Sequence, residues 1–360
     1  MRKYIPKLFV FSLLICIFSS VVFEIVKRNV AFAEWVNSTL SYALRRLMSF
    51  ISSPVSISLA EIVVMLIPPL FILLIVIAFK LRGAVNKVRY ILTLSSVVMI
   101  IYSGYLFALA VPYHIEALDE KMNLSECEVG EDGIYNTSMI LVDRINELIG
   151  EVDFDGSQTR MPYTQNQLSE KICEAYTEFL KHYPIFKTFN SRAKAVSHSS
   201  FMADIGLLGI YTYFTGEANY SDAYPDYCLP STVAHEMAHQ RGIIRENEAN
   251  FVAFMVCISS DDPYIRYSGY INLLEYTVSA VYKTSPERAM EIYDALDARA
   301  LSDLRVYSAF VKSHSDSFLN KTVDRLNDLY LKSHGTGGTV SYSKVVTLAV
   351  YYYMGALLPD

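Results

Sequence analysis

The chain has 360 residues, of which 52 % are hydrophobic and 13 % aromatic, and its formal net charge is −6. This hydrophobic share exceeds the usual range for a soluble domain. The acidic balance, with no basic stripe in the C-terminal two thirds of the sequence, argues against nucleic acid as a partner. Composition therefore favours a protein whose partners include the lipid bilayer.

Three apolar runs in the N-terminal third predict membrane spans at about residues 8–26, 59–79 and 90–113. The third run holds no charged side chain over 24 positions. The second contains Pro68 and Pro69, which membrane spans tolerate. The first is either an uncleaved anchor, which we favour, or a signal peptide, because Ala31 and Ala33 offer a cleavage pattern.

Residues 35–52, between the first two runs, form an amphipathic segment. Its apolar stripe includes Leu40, Leu47 and Ile51, and Arg45 and Arg46 lie on the other side. Such a helix suits the membrane interface. An ordinary amphipathic packing helix accounts for the pattern equally well, so both interpretations remain open.

The basic residues predict the orientation of the spans. Lys80, Arg82, Lys87 and Arg89 form a dense positive loop that should stay in the cytoplasm. The chain beyond residue 113 begins with acidic side chains instead. We therefore expect residues 1–113 to be a membrane anchor and residues 114–360 to be an extracytoplasmic domain of a multi-pass protein in the cell membrane.

The pattern of residues 114–360 is mostly helical. A strand is predicted at 206–214, where β-branched and aromatic residues are frequent. That strand could offer a free edge to an extended peptide, or it could be an ordinary core strand. The apolar segment 345–358 is too short to cross a bilayer. Helices are predicted near 136–149, 165–182, 230–241, 245–258, 264–283, 286–312 and 316–333, with a turn at 335–338.

The sequence HEMAH at residues 235–239 is the most informative motif. His235 and His239 are four residues apart, so they would point the same way from a helix. Two neutral imidazoles on one face supply half of a tetrahedral Zn²⁺ site. Glu236 would lie beside them, where it could take a proton from water as general base. The alternative interpretation is a pair of histidines on an ordinary helix.

Helix signals surround the motif. Pro230 lies where a helix would begin, and Gly242 where a C-cap would end it. After the turn, Glu246, Ala249 and Asn250 share one face of a second helix. A carboxylate in the first turn of that helix can reach back to complete a His₂Glu site.

This arrangement resembles the gluzincin pattern of zinc metallopeptidases, in which HExxH is followed by ExxA[DN] on a second helix. The resemblance implies that Glu246 is the third ligand and that Asn250 supports a ligand histidine. Glu248 is the competing candidate, on a different face of the same helix. Only six residues separate His239 from Glu246, fewer than in many gluzincins. The metzincin pattern would put its third ligand at Arg245, which cannot bind zinc.

A wider resemblance extends from about residue 185 to residue 275. The segments SRAKAVSHS, GIYTYFTGEANY, HEMAHQRG, ENEANF and YSGY occur in this order. Together they resemble an uncharacterised bacterial family of membrane-anchored, zincin-like proteins, a domain of unknown function. This resemblance implies an α+β zincin-like domain, mainly α with a small β-sheet, behind N-terminal transmembrane helices. It also implies one Zn²⁺ per chain and brings no known substrate.

The leading hypothesis is a zinc metallopeptidase that hydrolyses peptide or protein substrates in the cell envelope, with Glu236 as the catalytic base. An oxyanion would also need a partner beside the metal. Nothing in the spacing selects among the candidates, and packing is the better explanation for each tyrosine. These candidates for oxyanion or substrate contact are Tyr213, Tyr267, Tyr270 and His314.

Two other functions compete with this hypothesis. A non-catalytic zinc-binding envelope sensor or scaffold would keep the metal, but such a site needs no base, and Glu236 is present. An intramembrane protease would place the motif within an apolar span, whereas Arg241, Arg245 and Glu248 crowd it here. Four cysteines beyond residue 113 permit disulfides without demanding them.

Overall fold

The computed structural model describes residues 5–156, 158–314 and 342–355. The chain is mainly helical, with small sheets and three apolar helices near the N-terminus, which confirms the coarse fold class. Its internal packing divides it into two units. The first comprises Met1–Ile115 and Thr212–Glu217, and the second comprises Glu116–Tyr211 and Ala218–Asp360.

The first unit is built from helices and a short hairpin turn, residues 212–217. A π-helical turn, Asn37–Ser41, joins its second helix to its third. The fifth helix continues through a π-helical turn and a 3₁₀ turn up to His114. The helices are α1 (Lys7–Val26), α2 (Val30–Val36), α3 (Tyr42–Ser52), α4 (Leu59–Lys80) and α5 (Ala84–Tyr105).

Three helices of this unit are long and apolar enough to cross a membrane, as the sequence predicted. They are Lys7–Val26, Leu59–Lys80 and Ala84–His114. The third begins at Ala84 rather than at residue 90, because the basic turn before the apolar run is also helical. The Tyr90 hydroxyl donates to the Leu74 carbonyl at 2.7 Å and so links α5 to α4.

The second unit contains most of the predicted helices. Four of them agree with the prediction within two residues at both ends, and the helix predicted at 136–149 begins five residues earlier, at Glu131. Local capping residues explain where two of these helices begin. Thr164 and Gln167 form a capping box, and Asp262 caps a helix that begins with Pro263. The helices are α6 (Leu118–Met122), α7 (Glu131–Leu148), α8 (Gln165–His182), α9 (Ser199–Asp204), α10 (Cys228–Arg241), α11 (Glu246–Ile258), α12 (Pro263–Thr284), α13 (Pro286–Ala295), α14 (Ala298–His314) and α15 (Tyr342–Met354).

Helices α10, α11 and α12 pack against one another, and α7 lies along α12. The backbones of α11 and α12 approach closely at Gly269, where an added Cβ would lie 2.6 Å from the Cβ of Cys257. Cys257 is therefore a packing residue of this core. All five cysteines of the chain are free thiols in the structure, so the permitted disulfides are not formed.

The sheets are small. A two-stranded antiparallel sheet pairs β1 (Phe154–Asp155) with β2 (Gln158–Thr159). A second sheet has the order β3 (Lys194–Ala195), β5 (Glu217–Tyr220), β4 (Gly209–Thr212). Strand β3 runs parallel to β5. Strand β4 is at the edge of this sheet and precedes α10 in the chain.

The predicted strand at 206–214 is too long. Gly206 and Gly216 adopt positive φ angles of 74° and 68°, which turn the chain and leave only Gly209–Thr212 extended. The partner strand β5 was missed because its sequence, EANY, is polar and lacks β-branched residues.

The predicted single helix at 286–312 is wrong, because the chain breaks between α13 and α14. Leu296 is extended, with ψ 140°. The Asp297 amide donates to Asn146 Oδ1 at 2.8 Å, and the Asp297 carboxylate accepts from the Arg299 amide at 2.9 Å. Aspartate side chains that bind nearby amides in this way start a new helix and end the previous one.

The C-terminal predictions are only partly within the described residues. The helix at 316–333, the turn at 335–338 and residues 356–358 lie outside them. The apolar segment that starts at Val345 belongs to α15, in which Val345, Ala349 and Val350 are buried against the core of the second unit.

Candidate metal centre

Helix α10 places His235 and His239 on one face, one turn apart. Their ring centroids are 4.6 Å apart, and the rings meet edge to face. The helix is central to its unit, since all of its residues except His235 are buried. Burial on every side means that neighbouring elements fix the helix, and with it the directions of both imidazoles.

The turn after α10 orients His239. Gly242 has a φ of 97° and ends the helix in the left-handed conformation that glycine adopts most readily. This turn brings the Ile243 carbonyl to 2.8 Å from His239 Nδ1. Nδ1 then carries the proton, and Nε2 keeps a lone pair for a metal, as in most histidine metal sites.

Glu246, the first residue of α11, faces both imidazoles. Its Oε2 is 3.3 Å from His235 Nε2, and its Oε1 is 3.6 Å from His239 Nε2. One ligand atom from each of the three residues lies within 4.8 Å of the others. The structure therefore brings together the three residues that the sequence selected as ligands.

Asn250 lies one turn further along α11, below His235. Its side chain favours the protonated form of the His235 imidazole. His235 Nδ1 and Asn250 Nδ2 are both buried without a hydrogen-bond partner of good geometry among the described residues. The structure therefore places Asn250 near the ligand histidine His235, without a hydrogen bond of good geometry between them.

Glu236 is buried beside the cluster under the edge strand β4. An added Cβ on Gly209 would lie 2.6 Å from Glu236 Cγ and from Oε1, so only glycine allows the strand this close. The Tyr211 amide donates a hydrogen bond to the Glu236 carboxylate. Glu236 Oε2, in contrast, has no partner among the described residues. One oxygen of the carboxylate is held against the strand while the other is left for a further ligand or water.

Burial and the contacts among His235, Glu236, His239 and Glu246 together shift the pKa values of these side chains. Burial raises the pKa of Glu236 to about 8 and lowers the pKa of His239 to about 4. Burial alone would also raise the pKa of Glu246, but His239 and His235 outweigh it and lower that pKa to about 2. The hydrogen bond to Glu246 raises the pKa of His235 against the effect of burial. The cluster thus holds a carboxylate between two imidazoles, with a neighbouring carboxyl that resists ionisation.

Glu248 does not share this cluster. Its carboxylate accepts from Arg245 Nη1 at 2.8 Å and from the Leu118 amide at 3.2 Å. The bond from Leu118 satisfies the first amide of the short helix α6, and the ion pair with Arg245 also occupies the buried Glu248 side chain. Of the two glutamates near the start of α11, only Glu246 faces the histidines.

Arg241, at the end of α10, holds the opposite side of the helix. It is fully buried and donates to Thr188 Oγ1 and to the Phe189 carbonyl, each at 2.8 Å. Its guanidinium carbon is 4.2 Å from the centre of the Tyr176 ring. The Tyr176 hydroxyl donates to the Ala234 carbonyl at 2.6 Å. These contacts fix α10 on both sides of the histidine pair, at Ala234 before it and at Arg241 after it.

Two of the residues proposed for oxyanion or substrate contact have other contacts in the structure. Tyr213 belongs to the first unit, where its ring meets Tyr105 edge to face at 6.2 Å. His314 Nδ1 is 2.8 Å from the Phe310 carbonyl, one turn earlier on α14.

The other two are core residues of the second unit. Tyr267 is fully buried, and its hydroxyl donates to Asp303 Oδ2 at 2.8 Å. Tyr270 is buried and packs edge to face on Phe254 at 5.9 Å. Their packing contacts agree with the explanation that the sequence favoured for each tyrosine.

Gly209 and the Tyr211 amide were not selected from the sequence. A glycine inside a predicted strand is a signal of close backbone approach, and that signal was available at Gly209. The Tyr211 contribution comes from its backbone amide, which no residue type reveals.

A family model described as protein of unknown function (DUF3810) matches residues 8–350. The chain belongs to this family. The match covers most of both structural units, so the apolar helices and the His-Glu cluster both lie within the segment that the family model matches. No curated protein and no solved structure shows significant similarity to the chain.

Gly242 tests the link between the helix end and the orientation of His239. Gly242→Ala should lower the thermal unfolding midpoint of the detergent-solubilised chain by about 2–8 °C, because a left-handed alanine costs about 1–2 kcal/mol. Gly242→Asn should cost less, since asparagine tolerates this conformation. Gly150→Ala is the matched control, because an added Cβ there meets nothing within 4 Å. Equal midpoints for all three variants would contradict the role of this turn.

Proposed function

We propose that this DUF3810 protein is a membrane-anchored zinc metallopeptidase that hydrolyses peptide bonds outside the cytoplasmic membrane. The observation that carries the proposal is the buried Glu236 carboxylate beside the cluster of His235, His239 and Glu246, with one oxygen lacking a partner among the described residues. A purely structural site needs no such group.

The donor set fits Zn²⁺. Two imidazole nitrogens and a carboxylate oxygen are the ligands of one common class of catalytic zinc site. Tetrahedral zinc with bonds of about 2.0–2.1 Å requires ligand atoms roughly 3.3–3.4 Å apart. The contacts of Glu246 with His235 Nε2 and His239 Nε2, at 3.3 and 3.6 Å, come close to that separation. His235, His239 and Glu246 would hold the ion, with one position left for substrate or water.

Bound zinc would supply the Lewis acidity that lowers the pKa of water and polarises an amide carbonyl. The positive charge of the ion would favour the ionised form of Glu236, whose pKa burial raises. As a carboxylate, Glu236 acts as the general base: it accepts a proton from water and later gives it to the leaving amine nitrogen. The Tyr211 amide and the close contact with Gly209 hold the carboxylate in one orientation for both transfers. Positioning of this kind lowers the barrier because the base needs no reorganisation during the reaction.

Strand β4 supports a peptide as the substrate class. It is the edge strand of its sheet, and its first residue contacts the general base. An extended peptide that adds to such an edge is aligned through backbone hydrogen bonds and is therefore selected for its main chain rather than for one side chain. This arrangement, together with the succession of α10, turn and α11, is the basis for proposing a zincin-like, gluzincin-type domain.

The location outside the cytoplasm rests on the charges between two apolar helices. Lys80 ends α4, Arg82 lies in the connection, and Lys87 and Arg89 lie in the first two turns of α5. Basic residues clustered at such a connection stay in the cytoplasm. The chain after His114 would then emerge on the opposite side of the membrane, where peptide or protein substrates of the envelope are available.

The first prediction from this proposal concerns the metal. The purified chain should bind close to one zinc ion, and elemental analysis should show strong loss in His235→Ala, His239→Ala and Glu246→Gln, since each removes one of three protein ligands. Glu248→Gln is the matched control and should retain the metal. Full zinc content in both histidine variants would refute the site. Loss of zinc in Glu248→Gln but not in Glu246→Gln would mean that Glu248, and not Glu246, is the third ligand.

The second prediction separates a peptidase from a zinc-binding sensor or scaffold. Glu236→Gln should retain zinc but hydrolyse a peptide library at least about 10²-fold more slowly, because it lacks the base. Gly209→Ala should also retain zinc and lose between about 10- and 100-fold, because the new Cβ displaces the carboxylate. Gly150→Ala should behave like the unmodified chain.

The same variants can be compared in cells when no library peptide is cleaved. Proteomes of the membrane and secreted fractions should differ between cells with the unmodified chain and cells with Glu236→Gln. Identical fractions and identical growth, with zinc still bound, would favour the sensor or scaffold function over catalysis.

The third prediction concerns topology. A reporter that works only in the cytoplasm should be active when it is fused near residue 85, because the basic loop stays in the cytoplasm. A reporter that works only outside the cytoplasm should be active when it is fused at residue 360. Paired reporters, one for each compartment, give the measurement. The reverse pattern at both positions would overturn the extracytoplasmic assignment.

A further inference from the structure

Helix α3 and the π-helical turn before it have an inverted polarity. The buried side chains recur every three or four residues and are all polar: Asn37, Ser41, Arg45, Ser49 and Ser52. Large apolar side chains are exposed instead, from 41 % for Leu40 to 76 % for Phe50, and they also include Leu47 and Ile51. A soluble protein buries the apolar face of such a helix, so this orientation is unfavourable in water.

The polar face has specific contacts within the first unit. Arg45 Nη2 donates to Asn37 Oδ1 at 2.9 Å, which links α3 to the π-helical turn. An added Cβ on Gly216 would lie 2.5 Å from the Ser49 amide nitrogen, so the hairpin turn 212–217 packs directly on the α3 backbone. The inward direction of the polar face is therefore fixed by packing.

The same turn also binds the start of α4. The Glu217 carboxylate accepts from the Leu59 and Ala60 amides at 3.1 and 2.7 Å. A carboxylate at a helix N-terminus satisfies amides that have no partner within the helix. The hairpin turn thus contacts both the C-terminal part of α3 and the first turn of α4, one of the helices that could cross a membrane.

Chain connectivity places this segment at one membrane surface. Helix α1 ends at Val26 and α4 begins at Leu59, and both are long and apolar enough to cross a membrane. Two consecutive spans leave the residues between them on a single side. Trp35 is 54 % exposed and stacks on Phe32. Tryptophan is enriched at the level of the lipid headgroups.

We infer that α2 and α3 lie in the surface of the bilayer, with Leu40, Leu47, Phe50 and Ile51 among the lipid acyl chains and the polar face turned toward the hairpin turn 212–217. The bilayer is the partner that fits, because the exposed apolar face continues between two spanning helices. Helix α3 then joins the lipid-facing surface of the first unit. This inference is independent of the metal and of catalysis.

Tryptophan fluorescence tests the inference, because Trp35 is the only tryptophan of the chain. The full chain is reconstituted in phosphatidylcholine–phosphatidylglycerol vesicles with or without a lipid that carries a nitroxide on its acyl chain. The reporter is Phe50→Trp in a Trp35→Phe background. The matched control is Tyr282→Trp in the same background, since Tyr282 is 59 % exposed in the second unit.

The Phe50→Trp reporter should lose at least about half of its intensity to the nitroxide lipid, since an interfacial helix buries its apolar face about 5–10 Å into the bilayer. The control should be quenched by aqueous iodide and not by the lipid. Quenching of Phe50→Trp by iodide alone would overturn the inference, because that face would then lie in water. Protection from both quenchers would also overturn it, because another protein surface or a second copy would then cover the helix.

Discussion

The placement of Glu246 between His235 and His239 is the interaction on which the second unit depends. Two imidazoles and a carboxylate are largely removed from water together, and each would be costly to bury alone. Their mutual contacts, at 3.3 and 3.6 Å, offset that cost in part. A divalent cation would offset the rest of that cost, because a carboxylate that faces two imidazoles is already arranged as a ligand set.

Helix α10 has to be held from every side for that placement to persist. Gly242 ends the helix so that the Ile243 carbonyl orients His239, and Arg241 fixes the far face through Thr188 and Phe189. Glycine at position 209 allows β4 to touch Glu236. These contacts come from loops and a strand outside the HEMAH motif, so the motif supplies the donors while the surrounding chain determines where they point.

Sequence could predict the helices that carry the donors because their signals are local. The four-residue spacing of His235 and His239 and the carboxylate at the start of the next helix required only helical geometry and one turn. The contact of Gly209 with Glu236 joins residues 27 positions apart through a strand whose partner, β5, has no β-forming pattern. The break at Asp297 depended on Asn146, more than one hundred residues earlier. Tertiary contacts of this kind override local propensity, and the local sequence therefore does not reveal them.

The second unit buries apolar side chains, whereas α3 in the first unit buries polar ones. This contrast explains why the amphipathic segment 35–52 could be interpreted either as an interfacial helix or as a packing helix. In the second unit the core is apolar, and the buried charges among its described residues belong to the His-Glu cluster with Glu236 or to a few paired groups. In α3 the buried face is polar and the exposed face apolar. The sequence of residues 35–52 specifies two faces but not which solvent each will meet. The contact with the hairpin turn at Gly216 determines which face is buried, because the turn packs on the α3 backbone and leaves only the apolar side facing outward.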